Sequence, residues 1–359
     1  MRYYQVYRRL VALLPGKKYG QDGISRILAR HRVAGGAVCL FDAQGVGPCL
    51  TVGQAQKYQP VGEDTFFRTA SVAKMICAMM ALRLAEEGKL SLDEDAGAYL
   101  GVRLRNPGYP DKIITPRMLL SHTSSLVDAP AFWQAARDGT ALDRLLKEPV
   151  FSVNGPGSVF AYSNFGAGVL GAVLEGASGK HLDVLFHEMF PGIEGSFYPQ
   201  NLPDDCVLSD AGDVLRRRTE YNAAALRARK KADLTPDPMH HYALGHGNLC
   251  IRCRDLAAIG RMAMQGYEAL REEHIPFGQR DPRITEGLGM FIIRDETINQ
   301  NIVYGHQGLA YGAVNGVFFD PIKQKGFALL TGGASVARKF VLADLNRDLI
   351  RLLIGGKGA

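Results

Sequence analysis

The longest uninterrupted apolar stretch of the chain follows a serine and a lysine. Ser71-Val72-Ala73-Lys74 leads into Met75-Ile76-Cys77-Ala78-Met79-Met80-Ala81-Leu82, with no Gly or Pro before Gly88. This pattern predicts a helix that starts near Ser71 and stops at Gly88. Because it is apolar nearly all round, it belongs in the middle of a domain. Elsewhere the pattern changes. Ile24 to Arg32 reads as a short helix, and Gly35 to Phe41 with Pro48 to Val52 as a hairpin. Strand-like runs return at Gly289-Met290-Phe291-Ile292-Ile293, Asn301 to Tyr304, Gly316 to Phe319 and Gly326 to Thr331, and Val336 to Leu353 reads as an amphipathic helix. Between about residues 71 and 284 the pattern is mainly helical. Strands at both ends with helices between them predict an α/β (α+β) fold: one antiparallel sheet, helices on its faces and an inserted helical lobe.

Three polar constellations punctuate this pattern. On a helix beginning near Ser71, Lys74 lies one turn away on the same face, so hydroxyl and amine are neighbours. The helix N-terminus also favours negative charge developing at Ser71. A lone S-x-x-K is mostly chance, so the other two motifs carry weight. Tyr162-Ser163-Asn164 precedes a Gly-rich helical run, and Tyr162 and Asn164 face one way if that segment is extended. His306-Gln307-Gly308 stands between two predicted strands.

In their order and spacing these motifs resemble the serine β-lactamase and penicillin-binding-protein superfamily, in its class C β-lactamase-related branch, which holds D,D-peptidases, D-aminopeptidases and esterases. Ile114-Thr115-Pro116-Arg117-Met118-Leu119-Leu120-Ser121-His122-Thr123-Ser124-Ser125-Leu126 is similar to a family segment that carries Gly at the place of Ser125. Gly245-His246-Gly247-Asn248-Leu249 is similar to a family turn with a second Gly at Asn248. The resemblance runs from about Ile24 to the chain end. It implies a β-lactamase/transpeptidase-like fold and a serine hydrolase that works through an acyl-enzyme on a small ester or peptide-like amide. The alternatives are a true β-lactamase or a non-catalytic binding protein on the same fold. Ser71 would be the nucleophile, with Lys74 or Tyr162 as its base. Asn164 would hydrogen-bond the substrate amide, and Gly308 would leave room for substrate along the strand edge. The N–H groups of Ser71 and Leu309 would form the oxyanion hole. His306 would orient Tyr162 or, when charged, bind a substrate carboxylate. His-Gln-Gly in place of the usual Lys-Thr-Gly argues against a dedicated β-lactamase.

Composition adds limits. At 359 residues and 47% hydrophobic, the chain can bury a large core as one catalytic domain over 21–359. Within it, 21–70 and 285–359 would form the sheet part and 71–284 the helical part. Residues 1–20 read as an amphipathic extension, with Tyr3, Tyr7, Leu10 and Leu14 on one stripe, expected to pack on the body or on a second copy. The excess of Lys plus Arg over Asp plus Glu, 42 against 36, is partly concentrated in Arg216-Arg217-Arg218, Arg227, Arg229, Lys230 and Lys231. No nucleic-acid motif accompanies it, so the expected partner is a small molecule or short peptide, with no nucleic acid and no membrane. No cofactor or metal is expected: Cys250-Ile251-Arg252-Cys253 has half-zinc-site spacing without a second half. Cys39 and Cys49 are placed to face each other in a hairpin. No convincing signal peptide is seen, and a cytoplasmic location is the corresponding expectation.

Overall fold

The structure is a computed structural model and describes residues 23–214, 218–276 and 281–355. The expected 1–20 extension, with its possible contact to a second copy, lies outside these residues, as do Arg216 and Arg217. The strands are β1 (Gly35–Asp42), β2 (Val46–Gln56), β3 (Gln59–Pro60), β4 (Phe66–Arg68), β5 (Gly195–Ser196), β6 (Ala211–Asp213) and β7 (Arg218–Tyr221). They continue with β8 (Cys250–Arg252), β9 (Ile275–Pro276), β10 (Ile284–Glu286), β11 (Phe291–Ile293), β12 (Val303–Ala310), β13 (Ala313–Asp320) and β14 (Lys325–Gly333). Helices of eight residues or more are α1 (Gly23–Arg30), α2 (Ala73–Glu86), α3 (Pro130–Asp138), α4 (Asn164–Ser178), α5 (Leu182–Met189), α6 (Cys253–Gly266) and α7 (Asp344–Leu353).

Nine strands form one antiparallel sheet in the order β3-β2-β1-β14-β13-β12-β11-β10-β9. Both faces of its centre are covered, which is why its strands read as near-continuous apolar runs. Side chains alternate between two cores. Ala37, Cys39, Val317, Phe319, Ala328 and Leu330 pack with α2, α4 and α6. Val38, Phe318, Phe327 and Leu329 pack with Ile27 and Leu28 of α1 and Leu345, Leu349 and Ile350 of α7. Helix α2 is buried from Ala73 to Leu82, as its all-round apolar surface requires, and Gly88, at φ 69°, follows its end.

Several local expectations differ from the structure. The final helix begins at Asp344, not Val336. Its expected first turns instead form an irregular segment tied down by Gln307, whose amide donates to Val341 O at 2.7 Å and accepts from Ala343 N at 2.9 Å. The stretch read as mainly helical also holds the small sheets β4-β8-β5 and β6-β7, whose strands are too short to show a period of two. Ser125 does adopt a left-handed backbone, φ 67°, where Gly would be unstrained, whereas Asn248 does not. All six cysteines are free, and Cys39 stands directly opposite Cys49. Arg227 and Lys231, partly and largely exposed, find partners within the same excursion. They staple the 199–206 turn, Lys231 through Asp204 at 2.8 Å and Arg227 through carbonyls including that of Asp204 at 3.1 Å. Among the described residues no helix is long and apolar enough to cross a membrane.

Candidate active site

Strand β4 delivers the chain to Thr69 and to a single tight turn, Ala70–Val72, from which α2 continues. Thr69 is anchored through its N–H to Leu249 O at 2.8 Å, and Asn315 donates to Arg68 O at 2.9 Å. Ala70 takes φ 51°, a strained value for a residue with a side chain. Strand β12 presses directly on this turn: a Cβ at Gly308 would overlap the Thr69 carbonyl oxygen and crowd Ser71 N. The space that Gly308 keeps open is therefore filled by the backbone of the Ser71 turn, not by room for substrate. That corrects the expectation for Gly308.

Lys74, 3% exposed, points its amine at three oxygens: Ser71 Oγ at 3.0 Å, Asn164 Oδ1 at 2.8 Å and the His246 carbonyl at 2.7 Å. Which end of the Asn164 amide faces Lys74 is fixed from behind, because its Nδ2 donates to Asp128 Oδ2 at 2.7 Å and a carboxylate can only accept. Asp128 also accepts from Phe165 N at 2.9 Å, holding the first turn of α4. Burial pushes the Lys74 amine down to about 7, against an opposing pull from Asp128. With its pKa at about 7 the amine is present in both forms near neutrality. The ammonium donates to all three oxygens; in the neutral form two N–H bonds serve the two oxygens that can only accept, which leaves the lone pair for the Ser71 hydroxyl proton. Asn164 is thus engaged at both ends, Oδ1 with Lys74 and one Nδ2 hydrogen with Asp128, while it also lines the cleft with a second Nδ2 hydrogen.

Tyr162 comes up to the same centre. Desolvation drives its phenol above the ordinary range, partly offset by a hydrogen bond with Ser71, so it is protonated at neutral pH. The Lys74 amine lies 5.0 Å from its ring centroid. Tyr162 is not in a strand with Asn164; Ser163 between them caps α4, its Oγ accepting from Gly166 N at 2.9 Å. Ser71, Lys74 and Tyr162 are brought together, with Asn164 and Asp128 behind them.

His306 departs from expectation. It is 1% exposed, stacks on Phe291 at 4.6 Å and donates Nδ1–H to Gln307 O at 2.6 Å. Burial pushes its pKa down to about 3, so it carries no charge near neutrality and cannot act as the switchable carboxylate ligand expected of it. Leu309, next along β12, lines the cleft. Three residues to which the sequence assigns no role share this region, and only His122 lies in a family-like segment. His122 packs on Tyr162 at 4.4 Å between ring centroids. Glu286, fully buried with both carboxyl oxygens unpartnered, is held well above the usual carboxylate range by desolvation. Asp128 is the third. Its short-range sequence context, Asp128-Ala129-Pro130, is that of an ordinary helix start, so no local signal ties it to Asn164 36 residues later.

The cleft in front of Ser71 has a volume of about 780 Å³. Trp133 and His246 stand on one side of it, and Arg68, Tyr311 and the segment Arg338 to Val341 also line it. A second chamber of about 670 Å³ shares Arg68 and Tyr311 with it. The Arg68 guanidinium lies 4.9 Å over the Tyr311 ring and donates to Asn248 Oδ1 at 2.8 Å.

Among the described residues one cluster has metal-like spacing: Glu175, His181 and His241, with ligand atoms within 4.8 Å of one another. Its hydrogen bonds do not fit a metal. Asp183 N donates to His181 Nδ1 at 3.0 Å, which places the ring proton on Nε2 and removes the lone pair a metal would need. Glu175 instead works as a clamp, accepting from Leu182 N at 2.9 Å, Asp237 N at 3.0 Å and His241 Nδ1 at 2.8 Å. Cys250 and Cys253 also turn to different neighbours, Tyr221 OH at 3.4 Å and Ala37 O at 3.3 Å.

A tight turn presenting Ser71, a buried lysine behind it, a tyrosine beside it and one mixed-order antiparallel sheet define a class of protein. The Beta-lactamase family pattern matches residues 21–351, and the chain belongs to that family. It is 33% identical over 179 residues to Esterase EstB of Burkholderia gladioli, covering 45% of this chain and 42% of that one. It is 29% identical over 154 residues to the D-alanyl-D-alanine-carboxypeptidase/endopeptidase AmpH of Escherichia coli (strain K12), covering 40% and 39%. These matches span less than half the length of either relative. In structure it is similar to EstCE1, described as a hydrolase with promiscuous acyltransferase activity, at a TM-score of 0.71 and 20% identity over 98% of this chain and 99% of that one. At that identity the likeness establishes the fold.

Proposed function

We propose that this protein is a serine hydrolase that cleaves small esters or peptide-like amides through an acyl-enzyme on Ser71. The observation that carries this reading is the hydrogen-bond count at Lys74. Two oxygens that can only accept hold its amine, so when the amine is neutral they take its two N–H bonds and its lone pair is the part left for the Ser71 hydroxyl 3.0 Å away. Lys74 therefore takes the proton as Ser71 Oγ attacks the carbonyl carbon. Tyr162, protonated and next to Ser71, is the acid that delivers a proton to the departing oxygen or nitrogen. The N–H groups of Ser71 and Leu309 are the proposed oxyanion donors, and the partial positive charge at the start of α2 supports the same oxygen. The proton held by Lys74 then passes to the Tyr162 phenolate, which resets both groups. In the second step Lys74 takes a proton from water as the water oxygen attacks the acyl carbon, and returns it to the departing Ser71 Oγ as the acid is released.

Arg68, Arg338 and Lys339 line the cleft and supply positive charge that His306 does not. They favour an anionic group on the substrate, with an attraction that does not change as pH crosses 6.5. The presence of esterases and peptidases among the family members named above supports hydrolysis over pure binding. The test is intact-mass analysis after treatment with a fluorophosphonate, with short p-nitrophenyl esters, peptide amides and a penicillin as competing substrates. A single adduct on the wild type that is absent from Ser71→Ala is expected. Turnover of the esters by Ser71→Ala at the wild-type rate would place the nucleophile elsewhere. A penicillin kcat/KM near ~10⁶ M⁻¹s⁻¹ would make the protein a β-lactamase instead.

A further inference from the structure

The Asn164 oxygen faces Lys74, so a substrate N–H must find another acceptor. Arg68, Arg338 and Lys339 can only donate. The Gln307 amide is spent on Val341 O and Ala343 N. Two imidazoles of the lining keep Nε2 unprotonated: that of His306 is sealed against solvent, whereas that of His246 is not. Its Nδ1 lies 2.6 Å from the Ala243 carbonyl, which can only accept, so Nδ1 carries the ring proton and Nε2 presents a bare lone pair. The ring is half-buried on the cleft wall, edge-on to Phe132 at 6.2 Å and to Trp133 at 5.8 Å. Among the described residues no protein group pairs with Nε2, and it is not one of the sealed-off buried atoms. Burial, with Lys74 and Arg68 nearby, pushes the ring down to about 3, so it stays an acceptor at every working pH.

We propose that His246 Nε2 is the specificity-determining acceptor of this cleft and reads a neutral secondary-amide N–H on the acyl part of the substrate, beside Trp133. This rests on the hydrolase reading above. A neutral donor fits better than an ammonium group, because Arg68, Arg338 and Lys339 share the cleft and repel a cation. The substrates selected are acylamino esters or amides, and plain alkanoyl esters are the poorer class.

Two p-nitrophenyl esters that differ only in NH against O, those of N-acetylglycine and acetoxyacetic acid, isolate the contact. The readout is the ratio of their kcat/KM values, compared between variants so that intrinsic ester reactivity cancels. His246→Phe keeps a flat ring against Trp133 and leaves the backbone carbonyl that holds Lys74, while removing the acceptor. It should reduce the amide preference roughly tenfold, the worth of one hydrogen bond. His246→Gln, which can present an amide oxygen, should recover part of that preference. An unchanged ratio in His246→Phe overturns the proposal. Failure of the hydrolase reading is distinguishable, because it would show as loss of Ser71 labelling and of both turnovers. The matched amides N-acetylglycinamide and acetoxyacetamide then decide the contact by binding, read from the fluorescence of Trp133, the single tryptophan of the chain. Weaker binding of the NH ligand to His246→Phe supports the contact, and equal binding refutes it.

Discussion

Replacing Asp128 with Asn should move the pH profile of the enzyme downward, and the size of the shift can be worked out. The proposed mechanism uses Lys74 as the free base, so with its pKa at about 7 it predicts that activity falls as pH drops below 7. Two units below the midpoint, about 1% of the plateau remains. The Asp128 carboxylate opposes this by stabilising the charged amine across the Asn164 amide, through contacts of 2.7 Å and 2.8 Å. That chain puts the charges roughly 7 Å apart, worth about 2.4 kcal/mol at an effective dielectric constant of about 20, or somewhat over 1.5 pKa units. Because Asp128 is only half-buried, solvent screening trims the effect to about one unit. The acid limb of Asp128→Asn should then centre near pH ~6, and at that pH the active fraction rises from about a tenth to about a half. The plateau should fall at the same time, since an amide at 128 no longer dictates which way Asn164 turns. The assay is kcat/KM against pH from 5 to 9 with an uncharged ester such as p-nitrophenyl acetate. A midpoint that stays in place or moves upward refutes the electrostatic role given to Asp128.

Two further predictions concern stability. Glu286 is protonated in the folded protein but ionises with an ordinary carboxylate pKa once unfolded, so the wild type loses stability as pH rises above about 4.5, by up to ~1.4 kcal/mol per unit. Glu286→Gln cannot ionise, so in urea its stability gain over wild type should widen from pH 5 to pH 7, and a constant difference would contradict the assignment. Glu175→Ala removes a buried carboxylate and strands three donors, the buried Leu182 N and the partly buried Asp237 N and His241 Nδ1, and should cost about 3–5 kcal/mol in unfolding free energy. A loss below ~1 kcal/mol would mean that the clamp is not structural.

The sequence is most readable where one residue's surroundings are dictated by its neighbours. Helix α2 is apolar on every side, so its burial and the position of Ser71 at its head follow from pattern alone. The central strands, covered on both faces, are equally clear. The small sheets are not, because strands of two to four residues have no period to detect. The Asp128–Asn164–Lys74 relay was hidden for another reason: it joins three segments whose separations carry no local signal. His306 was misread because its motif position does not reveal that Phe291 covers it. Only packing decides whether a histidine titrates.

The sheet pairs the beginning of the described chain with its end, Phe41 against Gly326 and Gly35 against Gly333. Such pairing is slow to form, because some three hundred residues must be brought into a loop before β1 finds β14. During synthesis the helices between them emerge first and can gather around α2, but β12 is made late. Until that strand presses Gly308 against Thr69, the Ser71 turn has its anchor at Leu249 but lacks the support of β12 and of Asn315. The reactive centre is therefore assembled last. A ribosome-bound fragment lacking β12 to β14 would carry Ser71, Lys74 and Tyr162 without the strand that sets them.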